Sequence, residues 1–240
     1  MIEYNVEQGS QDWFELRLGR PTASEFHKII TAVKMDYSEQ ADDYIDQIIG
    51  TKFNAMDGRF PPWVENYTNK SIRNGQQMEA EARYWYAMAS GNKVRQVGFC
   101  TTDDGRFGAS PDSLIGQEGG LELKCPEPHT HMSRLHRRCP DKKCKTPMDR
   151  KPGKDDLAWV FECPACKKTA CALPHEYKAQ VHGGLIVSGY KWWDFVSYCH
   201  GCPQFWVRVY PDEFTAKLAQ HLERFWEEYQ QTLERLKVLS

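Results

Sequence analysis

The sequence has little of several features that define whole classes of protein. No apolar run approaches the roughly 20 residues that cross a membrane. The first residues, Met1-Ile2-Glu3-Tyr4, lack the basic and apolar regions of a secretory signal, so we expect a cytoplasmic location. The net charge of −2 is not typical of a nucleic-acid-binding protein. It does not exclude one, because positive charge concentrated in one cleft does not show in the net charge of the chain.

The cysteine content is informative against this background. The chain has nine cysteines among its 240 residues, and no secretory signal accompanies them. Cysteines in such a setting indicate metal ligands or free thiols in a reducing compartment rather than a disulfide framework. The length suits one large domain or a domain with an insertion.

A short stretch in the middle of the chain carries the residues best suited to catalysis. Leu121 and Leu123 alternate with Glu122 and Lys124, the pattern of a strand with one apolar and one polar face. Asp112 opens the preceding apolar segment, and the polar turn between the two segments predicts a hairpin. In such a hairpin Asp112 lies close to Glu122 although ten positions separate them.

Two carboxylates and a lysine on one face are unsuited to a protein core, because unpaired buried charges are costly. They suit a divalent cation, which takes oxygen ligands, with an ammonium group beside it. Mg²⁺ at this place would activate a water molecule, and Lys124 would orient that water or offset charge in the transition state. The alternative is a surface hairpin that carries an ordinary glutamate–lysine pair.

Periodicity along the rest of the chain predicts one mixed sheet flanked by helices, which is an α/β layout. Spacing typical of helices covers residues 10–19, 22–30, 38–53, 69–90, 174–189 and 211–239. Alternation typical of strands covers residues 93–101, 105–110, 191–199 and 203–210. Residues 57–63 are rich in glycine and proline and predict a loop.

Two of these helices carry further candidate site residues. Residues 22–25 match a capping box, and the backbone amides at that helix start would receive a phosphate with help from Arg17. A capped surface helix with a solvated arginine is the alternative. Glu79 flanks the apolar stripe of the helix at 69–90 and is either a third acid of the metal site or a solvated glutamate.

The segments described above occur in the order of one known family. The motifs are Gln8-Gly9-x-x-x-Trp13, Leu16-Arg17-Leu18-Gly19, Thr22-Ala23-Ser24, Gly75-x-x-x-Glu79-x-x-Ala82, Ser110-Pro111-Asp112, Leu121-Glu122-Leu123-Lys124-Cys125-Pro126 and Tyr177-x-Ala179-Gln180-Val181. Together they resemble the lambda-exonuclease (YqaJ-type) viral recombinases, within the PD-(D/E)xK nuclease superfamily. The resemblance covers nearly the whole chain apart from about residues 130–172.

The resemblance implies a restriction-endonuclease-like core and a Mg²⁺- or Mn²⁺-dependent exonuclease. Proteins of this family digest one strand of linear double-stranded DNA from 5′ to 3′ and release mononucleotides. They typically form ring-shaped homotrimers and leave a 3′ overhang for a single-strand annealing protein. We therefore expect a role in phage-type homologous recombination, in the cytoplasm of a bacterial or phage-infected host cell, with no membrane partner.

The resemblance also implies the roles of particular residues. Those that match the Mg²⁺ ligands are Asp112, Glu122, Glu79 and, through its carbonyl, Leu123. Those that match the residues beside the nucleophilic water are Lys124 and Gln180. Those that match the residues of the 5′-phosphate-binding pocket are Arg17, Ser24, Ser110 and Tyr177. Where the family often has glycine after the motif aspartate, this chain has Ser113, which leaves the tightness of that turn open.

An insertion between Lys124 and Tyr177 makes the chain longer than the lambda-type pattern. It holds two cysteine pairs, Cys139/Cys144 and Cys163/Cys166, with eighteen residues between the pairs. That spacing is typical of a structural Zn²⁺ ribbon, and zinc would explain how an insert with little apolar content folds. An iron–sulfur cluster and a loop with free thiols are the alternatives. Substitute ligands are Cys171, His129, His131 and His136.

We therefore predict a nuclease core of residues 1–130 and 173–240 around an inserted zinc-binding module of residues 131–172. The insert is basic, so we expect it to contact the backbone of duplex DNA or a protein partner. One hypothesis is that it holds DNA ahead of the active site. The other is that it only stabilises the fold.

Two other functions stay open at this point. One is a structure- or sequence-specific endonuclease of the same superfamily, and Arg17 and Ser24 favour the exonuclease over it. The other is a non-catalytic zinc DNA-binding protein with a decayed nuclease core. The intact set of Asp112, Glu122 and Lys124 argues against decay.

Overall fold

The computed structural model describes residues 1–56, 70–154 and 156–237. The helices are α1 Gln11–Arg17, a 3₁₀ helix Ala23–Lys28, α2 Ala41–Met56, α3 Lys70–Ser90, α4 Pro128–Leu135, α5 His175–Ser188 and α6 Glu213–Lys237. The strands are β1 Ile2–Tyr4, β2 Val94–Arg95, β3 Phe99–Thr101, β4 Gly108–Ala109, β5 Ser113–Ile115, β6 Gly119–Lys124, β7 Asp149–Pro152, β8 Trp159–Glu162, β9 Thr169–Cys171, β10 Trp192–Ser197 and β11 Phe205–Val209. The predicted loop at residues 57–63 lies outside the described residues.

A mixed five-stranded sheet of order β11-β10-β6-β5-β2 lies at the centre of the fold. β6 and β10 run parallel, with Glu122 opposite Phe195, whereas β5–β6, β10–β11 and β2–β5 are antiparallel. Parallel neighbours need a long crossover connection, and here α4, the cysteine-rich segment and α5 form it. The predicted mixed α/β layout is confirmed.

The predicted hairpin of β5 and β6 is present, with Ser113 opposite Leu121. Its second strand begins at Gly119, whereas the sequence suggests a polar, glycine-containing turn that continues to Gly120. The reason is the close approach of the next strand, because a Cβ atom on Gly120 would lie 2.3 Å from the Trp193 ring. Glycine therefore lets an indole ring lie against the strand backbone at this point.

Helices with apolar stripes cover the sheet and form the core. α6 buries Phe214, Leu218, Leu222, Phe225, Tyr229 and Leu233, as its spacing predicts. A fully buried side chain of this size contributes roughly 1.5–3 kcal/mol through the hydrophobic effect. The stripe predicted for α3 ends early, because Tyr86 is buried whereas Ala89 is exposed. No described helix combines the length and apolar character that a bilayer span requires.

The capping box predicted at residues 22–25 is wrong. The segment forms the short 3₁₀ helix, and Thr22 makes no side-chain cap. Its Oγ1 instead accepts a hydrogen bond from Arg17 at 3.0 Å. The segment packs tightly on α5, where a Cβ atom on Gly183 would lie 2.6 Å from Phe26.

The cysteine-rich segment has its own three-stranded sheet, of order β7-β8-β9. Its middle strand buries Trp159 and Phe161 in the same apolar cluster as the core of the protein. Trp159 Nε1 donates a hydrogen bond to the Trp206 carbonyl at 2.9 Å, and the Arg208 amide donates to the Leu157 carbonyl at 2.9 Å. The segment therefore covers β11, the outer strand of the central sheet.

Candidate active site and cysteine cluster

The β5–β6 hairpin brings the predicted acidic residues together. Asp112 immediately precedes β5, and its Oδ2 accepts a hydrogen bond from the Leu123 amide at 2.5 Å. Glu122 is only 3% exposed, and its Oε1 lies 2.6 Å from Lys124 Nζ. The alternation of β6 thus places Glu122 and Lys124 on one face, as the sequence predicts.

The helix α5 adds Gln180 to this group. Its Nε2 donates a hydrogen bond to Glu122 Oε1 at 2.6 Å. Lys124 contacts the same oxygen, and neither contact uses Oε2. Glu122 is therefore held in one orientation from two sides while its second oxygen stays available.

Glu79, the predicted third acid, reaches the site through Arg83. Arg83 forms an ion pair with Glu79 and donates a hydrogen bond to the Asp112 carbonyl at 3.3 Å. Among the described residues, only the four cysteines discussed below form a group of three or more candidate ligands within 4.8 Å of one another. Glu79, Asp112 and Glu122 are thus neighbours but are not drawn into one tight ligand set.

Ser113 stabilises the turn that it occupies in place of glycine. Its hydroxyl donates to the Asp112 carbonyl at 2.6 Å and accepts a hydrogen bond from Arg83 Nε at 3.0 Å. The serine therefore links α3 to the aspartate and does not loosen the turn.

Burial and mutual repulsion perturb the ionisation of the site. Burial, followed by the charges of Glu122 and Glu79, raises the pKa of Asp112 well above its usual range. Burial also raises the pKa of Glu122, although Lys124 opposes this shift. Burial alone would lower the pKa of Lys124, but the two carboxylates outweigh it and raise that pKa. Carboxylates in this state are stabilised by an added positive charge.

A second polar group, here called the Arg17 group, consists of Arg17 at the end of α1 with Trp13, Thr22, Ser24 and Ser110. The Arg17 guanidinium donates hydrogen bonds to Ser24 Oγ at 3.3 Å and Ser110 Oγ at 3.4 Å. It lies 4.3 Å from the centre of the Trp13 ring, whose Nε1 donates to Ser110 at 2.9 Å. The structure therefore brings together three of the predicted phosphate residues. Trp13 and Thr22 belong to the same group. Trp13 was signalled only by its place in the quoted motifs, and Thr22 by its motif and by the capping box that the structure does not contain.

Tyr177 does not join the Arg17 group. Its ring centre lies 5.2 Å from Lys124 Nζ, and its hydroxyl accepts a hydrogen bond from Arg134 at 3.2 Å. Arg134 lies on α4 and is only 4% exposed, and it also donates to Ser197 at 2.8 Å. No sequence pattern singled out Arg134, because a lone arginine in a short helix has no distinctive spacing.

A cavity of about 640 Å³ contains both polar groups in its lining. The lining includes Arg17, Ser24, Ser110, Asp112, Glu122, Lys124 and Gln180. Trp13, Tyr44 and Trp193 add aromatic surface to the same cavity. Cationic, acidic and aromatic groups thus face one space large enough for a small ligand.

The four predicted cysteines form a separate cluster. Sγ of Cys139 lies 3.5 Å from Sγ of Cys166, and Sγ of Cys144 lies 3.5 Å from Sγ of Cys163. Four sulfurs around tetrahedral zinc, with bonds of about 2.3 Å, lie roughly 3.8 Å apart, whereas a disulfide measures about 2.05 Å. The arrangement can therefore bind zinc.

The thiols of the cluster are perturbed unequally. A hydrogen bond with the Asp141 backbone lowers the pKa of Cys139, but burial and the neighbouring thiols outweigh it and raise that pKa. Hydrogen bonding by Thr146 lowers the pKa of the Cys144 thiol to about 7, so a thiolate forms readily near neutral pH. The proposed substitutes are not needed. His131, for example, contacts Ser197 and the Pro203 carbonyl, each at 2.8 Å.

Fold and side chains together define a class of mixed α/β proteins in which one central hairpin carries a buried glutamate, a partly buried aspartate and a lysine. The chain belongs to the YqaJ-like viral recombinase domain family, which matches residues 12–191. No curated protein matches the chain.

Solved structures give a consistent comparison. The chain is similar to the alkaline exonuclease LHK-Exo from Laribacter hongkongensis, with 25% identity, a TM-score of 0.66 and coverage of 95% of this chain and 96% of that one. The complex of LHK-Exo with dAMP gives 25% identity, a TM-score of 0.65 and the same coverage. A phage-related exonuclease from Haemophilus somnus 129PT is 11% identical, with a TM-score of 0.55 and coverage of 90% and 96%. The last similarity concerns the fold alone.

Proposed function

We propose that the protein is a Mg²⁺- or Mn²⁺-dependent exonuclease that digests linear double-stranded DNA from 5′ to 3′. The observation that carries the proposal is the single cavity that holds both the Arg17 group and the pair of Asp112 and Glu122. The first suits a terminal phosphate, and the second suits a cation at the bond to be cut. The similarity to the alkaline exonuclease LHK-Exo supports the same function.

The acidic group fits a divalent cation. Asp112 and Glu122, with the Leu123 carbonyl and Glu79 nearby, offer the oxygen ligands that Mg²⁺ takes. Burial raises the pKa values of both carboxylates although Lys124 opposes the shifts, so a divalent cation would further stabilise their charged forms. A divalent cation at such a place supplies Lewis acidity toward water and toward a phosphoryl oxygen.

The remaining residues orient the reactants. Lys124 carries a positive charge beside Glu122 and would stabilise the negative charge that develops on the phosphate, or hold the attacking water. Gln180 fixes Glu122 from the opposite side. These groups act in a partly buried cavity, where electrostatic interactions are stronger than in bulk water.

The Arg17 group would select the end of the DNA. A guanidinium with neighbouring hydroxyl groups suits a phosphate monoester. Hydrolysis adds water across the P–O3′ bond, so the released mononucleotide gains a 3′-hydroxyl and the shortened strand gains a new 5′-phosphate. Each cycle would therefore regenerate the group that Arg17 binds. The dAMP complex of LHK-Exo supports a nucleotide-sized site.

The wider assignment follows the family resemblance. It comprises a restriction-endonuclease-like core of residues 1–130 and 173–240, and an inserted module of residues 131–172 in which the four cysteines hold structural zinc. It also comprises a homotrimer, 3′ overhangs, a single-strand annealing partner and phage-type recombination in the bacterial cytoplasm. The matching of the family over residues 12–191 supports this assignment.

The test uses linear duplex DNA with one phosphorylated and one unphosphorylated 5′ end, incubated with Mg²⁺. We expect mononucleotides from the phosphorylated end and their loss in Lys124→Ala. Circular duplex DNA of the same sequence is the control. Nicking of the circle would identify an endonuclease instead, and binding without any cleavage would identify a DNA-binding protein.

A further inference from the structure

Charge is unevenly distributed between the cysteine-rich insertion and the rest of the chain. Residues 131–172 contain eleven lysine or arginine residues and five aspartate or glutamate residues, a net charge of +6. The whole chain has a net charge of −2, which leaves −8 on the remainder. An acidic body repels a polyanion such as DNA, whereas the insertion attracts it.

The basic side chains are concentrated where the cysteine cluster forms. Those next to the cluster are Arg138, Lys142, Lys143, Lys145, Lys167 and Lys168, and all six are exposed. Each lies within two positions of a clustered cysteine, and the four sulfur atoms lie within 4.8 Å of one another. Closure of the cysteine cluster therefore gathers these side chains into one surface, here called the basic tip.

Two residues of the basic tip have an unfavourable backbone conformation. Lys145 has a φ of 48° and Lys167 a φ of 62°, and each directly follows the second cysteine of its pair. Side chains are disfavoured in this left-handed region, which glycine adopts without penalty. The turns therefore do not themselves account for lysine at these two positions, and residues held in such a conformation often occur at functional sites.

Neighbouring acids neutralise only part of the basic tip. Lys168 pairs with Asp141 at 2.6 Å, and Lys167 lies 3.7 Å from Glu162. Lys142, Lys143 and Lys145 have no ion-pair partner among the residues that the structure describes. Four thiolates around one zinc ion add a charge of −2, so the loaded insertion would still keep about +4. The negative charge of a zinc–thiolate site would therefore offset only part of the positive charge of the insertion.

The insertion is also attached directly to the candidate active site. Its chain leaves β6 just after Lys124 and returns at α5, which carries Gln180. Trp159 fixes it to the central sheet through the Trp206 carbonyl. The insertion is therefore held in a fixed place relative to the strands and helix that form the cavity.

We infer that the basic tip is a second binding surface, which holds the sugar–phosphate backbone of duplex DNA away from the strand end. The inference rests on the proposed function only for the choice of DNA as the binding partner. Contacts of this kind carry no base specificity, and they make affinity dependent on salt. The basic tip keeps hold of the duplex while the Arg17 group releases one terminus and accepts the next.

The test replaces the two strained lysines by glycine, as Lys145→Gly with Lys167→Gly. Glycine suits both backbone conformations, so we expect a melting temperature no lower than that of the parent protein and an unchanged zinc content. All proteins carry Lys124→Ala, which prevents digestion. The matched control is Lys34→Gln with Lys217→Gln, which removes two exposed lysines outside the insertion.

The ligand is a duplex closed by a loop at each end, which offers no terminal phosphate to the Arg17 group. Fluorescence anisotropy between about 50 and 200 mM salt gives the slope of log affinity against log salt. The loss of two phosphate contacts reduces that slope by about 1.8 and weakens binding roughly tenfold at low salt. The control variant should retain both the slope and the affinity of the parent.

Unchanged binding by the glycine variant would overturn the inference. If zinc is at the same time lost more readily to a chelator, the lysines serve to offset the charge of the thiolates. Digestion of linear DNA by the enzyme with intact Lys124 is measured separately. Failure of that digestion, with the salt effect present, would reject the proposed exonuclease and leave the basic tip in place.

Discussion

The candidate active site and the cysteine cluster are assembled in opposite ways. Arg17 and Gln180 lie 163 positions apart in the chain, and the site exists only when α1, the β5–β6 hairpin and α5 come together. The cysteine cluster spans positions 139 to 166 and depends on two local turns. One protein thus contains a site fixed by its global fold and a cysteine cluster fixed by local chain geometry, which a bound metal ion would stabilise.

The two regions also differ in what their ligands need from a metal. The buried carboxylates of the active site repel one another without a cation, so the fold itself holds them in place at some cost. The thiols of the cluster would instead gain a metal and their local structure together. Removal of a ligand should therefore have opposite effects on stability in the two regions.

The largest expected effect comes from Asp112→Asn. If Asp112 is a metal ligand, as proposed, the variant loses it, and we expect nuclease activity to fall by roughly three orders of magnitude. Without a divalent cation it should be more stable than the wild type by about 1 kcal/mol, because a repelled buried charge is gone. Thermal unfolding in a chelator and the rate of nucleotide release measure the two changes. Lower stability of the variant would contradict this account.

The pH dependence of stability, compared between the wild type and Asp112→Asn, tests the direction of the pKa shift of Asp112. The native pKa of Asp112 is raised, so the folded state holds that proton more tightly than the unfolded chain does. This contribution to stability is fully present below the unfolded pKa of about 3.9 and is lost as pH rises through the native pKa. The advantage of Asp112→Asn over the metal-free wild type should therefore grow with pH across that window. An advantage that shrinks there would refute the assigned shift.

Loss of one cysteine ligand should have the next largest effect. Cys163 is fully buried in the cluster, and Cys163→Ser should lower the zinc content at least tenfold and make residues 131–172 sensitive to protease. Cys171→Ser is the matched control, because Cys171 is exposed and outside the cluster. Metal analysis and limited proteolysis give the result. Equal zinc content in the two variants would reject the cluster as a zinc site.

A smaller effect is expected at Arg134, on the helix between β6 and the cysteine cluster. Arg134→Met removes the hydrogen bond to Tyr177, whose ring faces Lys124, so we expect kcat to fall about tenfold with little change in KM. Ser133→Ala on the same helix is the control, since Ser133 is exposed. A change confined to KM would show that Arg134 acts in DNA binding instead.

The smallest effect is expected at the edge of the Arg17 group. Thr22→Val keeps the shape of the side chain but removes the hydroxyl that accepts from Arg17. We expect the preference for a phosphorylated over an unphosphorylated 5′ end to fall about threefold to tenfold. Thr232→Val on α6 is the control, and competition between the two ends measures the preference. An unchanged preference for the phosphorylated 5′ end would show that the Thr22 hydroxyl takes no part in phosphate binding.

Patterns with a local cause were predictable from the sequence. The alternation around Glu122 defined the hairpin, and apolar spacing defined α2, α5 and α6. The spacing of Cys139, Cys144, Cys163 and Cys166 defined the cluster, because zinc ribbons have a recurrent local geometry.

Features that depend on distant packing were not predictable in this way. The 3₁₀ helix replaced a capped α-helix because Gly183 of another helix allows close contact. Tyr177 lies beside Lys124 rather than beside Arg17, and Arg134 on α4 contacts it there. Such contacts cross many sequence positions, and no motif records them.

The contact between the insertion and β11 has a consequence for the solution behaviour of shortened forms. The Leu157 carbonyl and Trp159 shield the outer strand of the sheet. An uncovered strand edge is a template for pairing between molecules. A form clipped or truncated within residues 131–172 should therefore show a rising sedimentation coefficient with concentration. The insertion thus protects colloidal stability, in addition to any part that it plays with DNA.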